Sequence, residues 1–212
     1  MVKKNLLYGL AAGILIGIGG TVFLACENKI MGAVLFSVAL LCICLRGYAL
    51  YTGKIGFIVL SHKKSDVSAV LLALLGNFIG TLVFGLAIRV ANHSLEETAK
   101  AICEGKLGQS IPETLIRGIF CGILMYLAVI IYRENKTIVG ILFCIPVFIL
   151  SGFEHSIADM FYFSASGIVS LKAFGFLWLV IAGNTIGGML LPLILKLADW
   201  KRKTADDGGQ DE

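Results

Sequence analysis

The stretch Ser151-Gly-Phe-Glu-His-Ser-Ile-Ala-Asp-Met-Phe-Tyr162 places three ionisable side chains, Glu154, His155 and Asp159, in a chain otherwise dominated by aliphatic, aromatic and glycine residues. Such groups are costly at membrane depth and usually face a bundle interior or a watery cavity, so they read first as a functional site. Histidine is the side chain whose ordinary pKa lies nearest neutral pH, which makes it the first candidate for that function. The bland alternative is a structural histidine bonded to backbone freed by a helix break. On a regular helix His155 and Asp159, four apart, share a face, whereas Glu154 and Asp159, five apart, diverge. Asp159 therefore orients the imidazole or raises its pKa, or else pairs with Lys54 at the other polar interruption of the chain. Glu154 is expected to tie the broken backbone.

Of 212 residues, 58% are hydrophobic and 15% charged, the balance of an integral membrane protein and not of a soluble domain. Apolar runs recur near 5–25, 30–61, 67–91, 113–132, 138–169 and 172–196. About 20 residues suffice to cross a hydrocarbon core as a helix. The second run contains Arg46-Gly-Tyr-Ala-Leu-Tyr-Thr-Gly-Lys54 and the fifth contains Pro146 and then the opening stretch. Both are too long for one helix and are predicted to be broken near the middle. Irregular backbone at that depth is tolerated only where protein or a water-filled path satisfies its polar groups. The run from Asn5 to Ala25 exceeds a signal-peptide core and is taken as a retained first span.

Gly76-Asn77-Phe-Ile-Gly80 in the third span recurs as Gly183-Asn184-Thr-Ile-Gly187 in the sixth. With three spans per half the two halves are inverted, a plan that sets a site at the midplane between repeats. The predicted fold is an all-α integral membrane protein of six transmembrane helices in two inverted three-helix repeats. It forms one domain over 1–200, with a disordered cytoplasmic tail over 201–212. Gly9, Gly13 and Gly17, with Gly76/Gly80 and Gly183/Gly187, form GxxxG patterns that suit a tight bundle and a lipid-buried oligomer. Lys3/Lys4, His62-Lys63-Lys64, Arg133/Lys136 and Lys196/Lys201-Arg202-Lys203 fall on one side of this arrangement. That side is read as cytoplasmic, with both termini inside and residues 92–112 forming a loop on the other side. The six cysteines show no CxxC and read as packing residues, with no metal, disulfide or cofactor. The formal charge of +4 implies no nucleic-acid partner.

At these motifs the chain resembles the formate/nitrite transporter family, pentameric bacterial channels for small monovalent anions. The likeness rests on Gly152-Phe-Glu-His155 with Asp159-Met160, Leu50-Tyr-Thr-Gly53, Arg117-Gly-Ile-Phe-Cys121, Gly76-Asn77 and Gly183-Asn184-Thr-Ile-Gly-Gly188. It implies an aquaporin-like protomer with its own pore, assembled as a pentamer in a bacterial inner membrane. The resemblance makes His155 the pore histidine, Thr52 the threonine opposite it, and Lys106 the lysine that attracts the anion. By position Leu40 and Phe148 match one apolar constriction, and Leu50 and Tyr51 match the region of the other. Glu154, Asp159, Lys54, Asn77 and Asn184 are supporting polar residues. The chain departs from the family pattern at Asp159, where asparagine is common, at Gly122, and at Lys54, where a small or neutral polar residue is usual. It also starts almost at the first span, without the amphipathic N-terminal helix of some members.

The function expected is passive or proton-linked passage of a weak-acid anion such as formate, nitrite or hydrosulfide. The competing expectation on the same fold is a cation or ammonium path lined by Asp159. An intramembrane enzyme ranks below both, because no HExxH occurs and Ser164-Ala-Ser-Gly167 lacks the first glycine of a nucleophile motif.

Overall fold

Every regular element among the described residues is helical. The computed structural model describes residues 2–61 and 63–207, with side chains through Ala198. In chain order these are α1 (Val2–Ala25), α2 (Lys29–Arg46), α3 (Tyr51–Lys54), a 3-10 turn (Ile55–Phe57), α4 (Ile58–Ser61), α5 (Lys64–Ala91), α6 (His93–Leu107), α7 (Ile111–Asn135), α8 (Val139–Leu150), α9 (Ser156–Ser166) and α10 (Leu171–Asp207). Five are long and apolar enough to cross a membrane: α1, α2, α5, α7 and the Leu171–Ala198 part of α10. The remaining predicted span, the fifth, holds two shorter helices in series, α8 and α9. Helix α8 has 12 residues, which at a rise of about 1.5 Å each fall well short of a bilayer core.

Both breaks fall inside the predicted spans. Helix α2 ends at Gly47, whose φ of 66° favours glycine, and the chain runs through Leu50 before α3 begins. Helix α8 ends before Gly152, with φ of 68°, and His155 is extended before α9. The short helices beyond the breaks pack against the opposite half of the chain. Helix α9 lies on α5 and α1, whereas α3, the 3-10 turn and α4 lie on α7 and α10. Each half thus completes the other.

Helix α1 packs along α5, and α7 along α10. At both seams glycine permits the approach. A Cβ on Gly13 would collide with the Asn77 carbonyl, and one on Gly122 with the Asn184 carbonyl. Glycine at 122, a departure from the family pattern in the sequence, is what the α7–α10 seam requires.

The expected loop over 92–112 is largely a helix. Asn92 caps α6 through Oδ1, which accepts the Leu95 N–H at 3.3 Å. Leu95, Ala99 and Cys103 form its buried stripe, and the helix packs on α9. Helix α10 continues past Trp200 to Asp207, so no element boundary marks the predicted tail. His62, residues 208–212 and the side chains of Lys201, Arg202 and Lys203 lie outside the described set.

Candidate functional site

One asparagine holds each break. Asn77 on α5 accepts the Tyr51 N–H on Oδ1 at 2.8 Å and donates through Nδ2 to the carbonyls of Gly9 (2.8 Å) and Ala49 (2.9 Å). Asn184 on α10 accepts the Ser156 N–H at 2.8 Å and donates to the carbonyls of Glu154 (2.8 Å) and Gly118 (2.9 Å). A carboxamide carries acceptor and donors together, so one buried side chain satisfies backbone on both sides of the break. The two bonding patterns match partner for partner: Gly9 with Gly118, Ala49 with Glu154, Tyr51 with Ser156. In that correspondence Leu50 occupies the place of His155.

His155 is the N-cap of α9. Its Nδ1 accepts the Ala158 N–H at 3.1 Å, and its Nε2 lies 2.9 Å from Thr52 Oγ1. A ring nitrogen that accepts carries no proton, so this network assigns the neutral ring as the Nε2–H tautomer, donating to Thr52. The imidazole stacks on Phe148, with centroids 5.5 Å apart and planes 19° from parallel. His155 and Thr52 are both buried. The sequence-predicted pair is therefore formed, across the two breaks.

Asp159 compensates a neighbouring charge, as expected, but the neighbour is neither the imidazole nor Lys54. The backbone of α9 and Thr52 orient the imidazole, and Lys54 is not the partner of Asp159. Instead Lys106, at the end of α6, reaches in to bond Glu154 Oε2 and, at 2.9 Å, Asp159 Oδ1. The sequence offered no sign of this, because α6 is brought over α9 by tertiary packing. Glu154 does tie the break, but through its main chain: its N–H donates to the Arg117 carbonyl at 3.3 Å and its carbonyl accepts from Asn184. Its carboxylate belongs to the α6 side, bonded by Lys106 and by Gln109 Nε2 at 2.6 Å. Burial works against the charge of Lys106, but the Asp159 and Glu154 carboxylates outweigh it and hold the ammonium above the usual lysine range. Beside it on α6, burial pushes the Cys103 thiol up to about 12.

Two cavities approach the Thr52–His155 pair from opposite ends and share no lining residue. One, of about 480 Å³, is bordered by Phe36, Phe148, His155, Lys106, Glu154 and Asp159. The other, of about 600 Å³, is bordered by Leu40, Leu50, Val129, Lys54, Arg133 and Asp66. The apolar residues thus group differently from their sequence assignment. Leu40 stands with Leu50 and Val129, while Phe148 stands with Phe36, whose ring it meets edge-on at 6.4 Å. Phe36 and Val129 escaped the sequence reading because one more apolar residue in an apolar helix carries no signal. Tyr51 borders neither cavity. Its hydroxyl donates at 2.6 Å to Thr185 Oγ1, which itself donates to the Ile181 carbonyl at 2.7 Å.

Inverted halves, paired breaks stapled from within, and cavities entering from both ends toward one polar pair define a multi-pass membrane protein of the channel or transporter class. The family model described as formate/nitrite transporter matches residues 1–198, and the chain belongs to that family. It is 29% identical over 196 residues to the uncharacterized transporter YrhG of Bacillus subtilis (strain 168), covering 83% of this chain and 73% of that protein. It is 30% identical over 188 residues to formate-nitrite transporter 2 of Toxoplasma gondii (strain ATCC 50611 / Me49), covering 77% of this chain but only 40% of the longer relative. Among solved structures, a pentameric formate channel with formate bound superposes with a TM-score of 0.76 at 22% identity, over 94% of this chain and 97% of that one. That likeness shows the fold.

Proposed function

We propose that the chain is a channel for a small monovalent anion of a weak acid, formate, nitrite or hydrosulfide, with one pore in each protomer. The observation that carries this reading is an imidazole, bonded to Thr52, between two cavities that enter from opposite ends. Membership of the formate/nitrite transporter family supports the substrate class. The pentamer of the superposed formate channel supports five protomers here. The clustering of Lys3, Lys4, Lys64, Arg133 and Lys136 at one end supports a cytoplasmic face there, with both termini inside, in a bacterial inner membrane.

In this mechanism Lys106 serves the outer cavity. An ammonium has three donors; two are held by Glu154 and Asp159, and the third is available to an arriving anion. Phe36 and Phe148 on one side and Leu40, Leu50 and Val129 on the other strip water from the anion as it nears His155. Loss of water disfavours its charged form and raises its proton affinity. The anion then takes a proton from the water of the cavity, crosses the neck as the neutral acid past the Nε2–H of His155, and returns the proton to water on the far side. Against the cation alternative, the Asp159 carboxylate that would line such a path is bonded by the Lys106 ammonium.

The test is formate, nitrite and hydrosulfide flux into proteoliposomes at several pH values, wild type beside His155→Asn, with potassium and valinomycin setting the membrane potential. Anion-selective flux that rises as pH falls, ignores the potential and weakens in the variant is expected. Ammonium or potassium flux without anion flux would refute the reading.

A further inference from the structure

Two lysines border the path, and only one is compensated. Lys106 is clamped between two carboxylates. Lys54, two residues beyond Thr52 on α3, is half-buried and borders the inner cavity. Among the described residues it makes no hydrogen bond and no ion pair. The other charged side chains of that lining are Arg133 and Asp66. Arg133 borders the same cavity, its guanidinium over the Phe57 ring at 4.1 Å, and it too has no carboxylate partner among the described residues. Asp66 is the one acidic residue in that lining.

Uncompensated cations inside a membrane bundle are costly and, where retained, face water or a charged ligand. Here they stand beside the apolar neck of Leu40, Leu50 and Val129. At that depth an anion has not yet surrendered its hydration, and a nearby ammonium raises its local concentration. A lysine that merely snorkels its head group toward bulk water would leave the anion indifferent to it.

We propose that Lys54, with Arg133 beside it, is an anion-binding site on the inner side of the neck, which loads a small monovalent anion before it reaches His155. The inference rests on the anion-channel reading. It makes the two faces of the pore unequal: anions saturate the pore at lower concentration from the inner face. Net direction is still set by the gradient.

Sealed inside-out and right-side-out vesicles containing the full chain, loaded with formate at increasing concentrations, test this directly. Lys54→Met should raise the half-saturating formate concentration from the inner face about fivefold, the order expected for one partly screened charge at close range. From the outer face it should change little. Lys54→Arg should restore the wild-type value, and an impermeant salt at high concentration should erase the difference between wild type and Lys54→Met. Equal half-saturation for wild type and Lys54→Met at the inner face, or an equal rise at both faces, would overturn the proposal while leaving the channel reading intact. No flux of formate, nitrite or hydrosulfide in the wild type would overturn both. A size-exclusion profile matching wild type checks that each variant is assembled.

Discussion

Replacing Asn184 with alanine tests the stapled break, far from any direct contact with a transported ion. The substitution deletes three hydrogen bonds. The Gly118 carbonyl lies within α7 and keeps its intrahelical partner, but the Ser156 N–H and the Glu154 carbonyl lose theirs in a fully buried place. An unsatisfied buried backbone group costs about 1–3 kcal/mol, so the pair costs about 2–6 kcal/mol. That is a large fraction of the roughly 5–15 kcal/mol that stabilises an ordinary folded domain. At about 2–4 °C per kcal/mol for a chain of this size, the midpoint should fall by roughly 5–20 °C. The assay is thermal unfolding of the detergent-purified protein followed by size exclusion, with formate flux measured on the surviving fraction. Flux should fall too, because Glu154 and Ser156 flank His155 in the chain. Asn77→Ala removes the matching bonds at Tyr51 and Ala49 and should cost a similar amount. A midpoint within about 2 °C of wild type for Asn184→Ala, with unchanged flux, would refute the stapling argument.

A methyl at Gly187 would collide with the Ile119 carbonyl, so Gly187→Ala should prevent α7 and α10 from closing and abolish the assembled peak, whereas exposed Gly175→Ala, with nothing within 4 Å, should be neutral or slightly stabilising. Lys106→Met leaves Glu154 and Asp159 facing each other and should cost about 3–5 kcal/mol of stability, with most of the loss recovered when Asp159→Asn is added. Because the folded state holds the Lys106 ammonium above its unfolded value, its stabilising contribution is fully present below the ordinary lysine pKa of about 10.4 and is lost only as pH rises beyond it; raising the pH of the wild type from about 7 to 9 should therefore cost no stability through this group. Thr52→Val removes the acceptor of the His155 Nε2–H, and should reduce flux about tenfold or more while Thr52→Ser retains most of it. Equal flux in those two variants would separate the histidine from the transport step.

The breaks were legible because an apolar sequence has to carry visible polar and glycine residues wherever its helices stop. The repeat was legible too, since Gly-Asn-x-Ile-Gly occurs in both halves. What the asparagines do was not legible, because a backbone partner leaves no residue-type signature. The same limit hid the clamp on Lys106. Sequence spacing relates His155 to Asp159 on one helix, but α6 enters from elsewhere and takes Asp159 away. Helix α6 itself could have been found from Leu95, Ala99 and Cys103 at i, i+4 and i+8 behind the Asn92 cap. Its low hydropathy made it pass for a loop. Residues at the neck, Phe36 and Val129 among them, can be picked out only when the cavities are known.

The symmetry of the two breaks also explains why the chemistry is confined to one of them. Each half needs an asparagine staple, and each has one, so the architecture is indifferent to which residue precedes the short helix. That position is Leu50 in the first half and His155 in the second. Leu50 makes no side-chain cap on α3, whereas His155 caps α9 with Nδ1 and so commits Nε2 to Thr52. An apolar residue at one equivalent place and an imidazole at the other convert a symmetric scaffold into an asymmetric path, with the polar group reaching across to the break that lacks one. Two histidines at these places would put two titratable groups at one neck and two leucines would leave none. A single imidazole fixed by its own helix cap gives a passing weak acid one donor in an otherwise apolar constriction, which is enough to meet it without holding it.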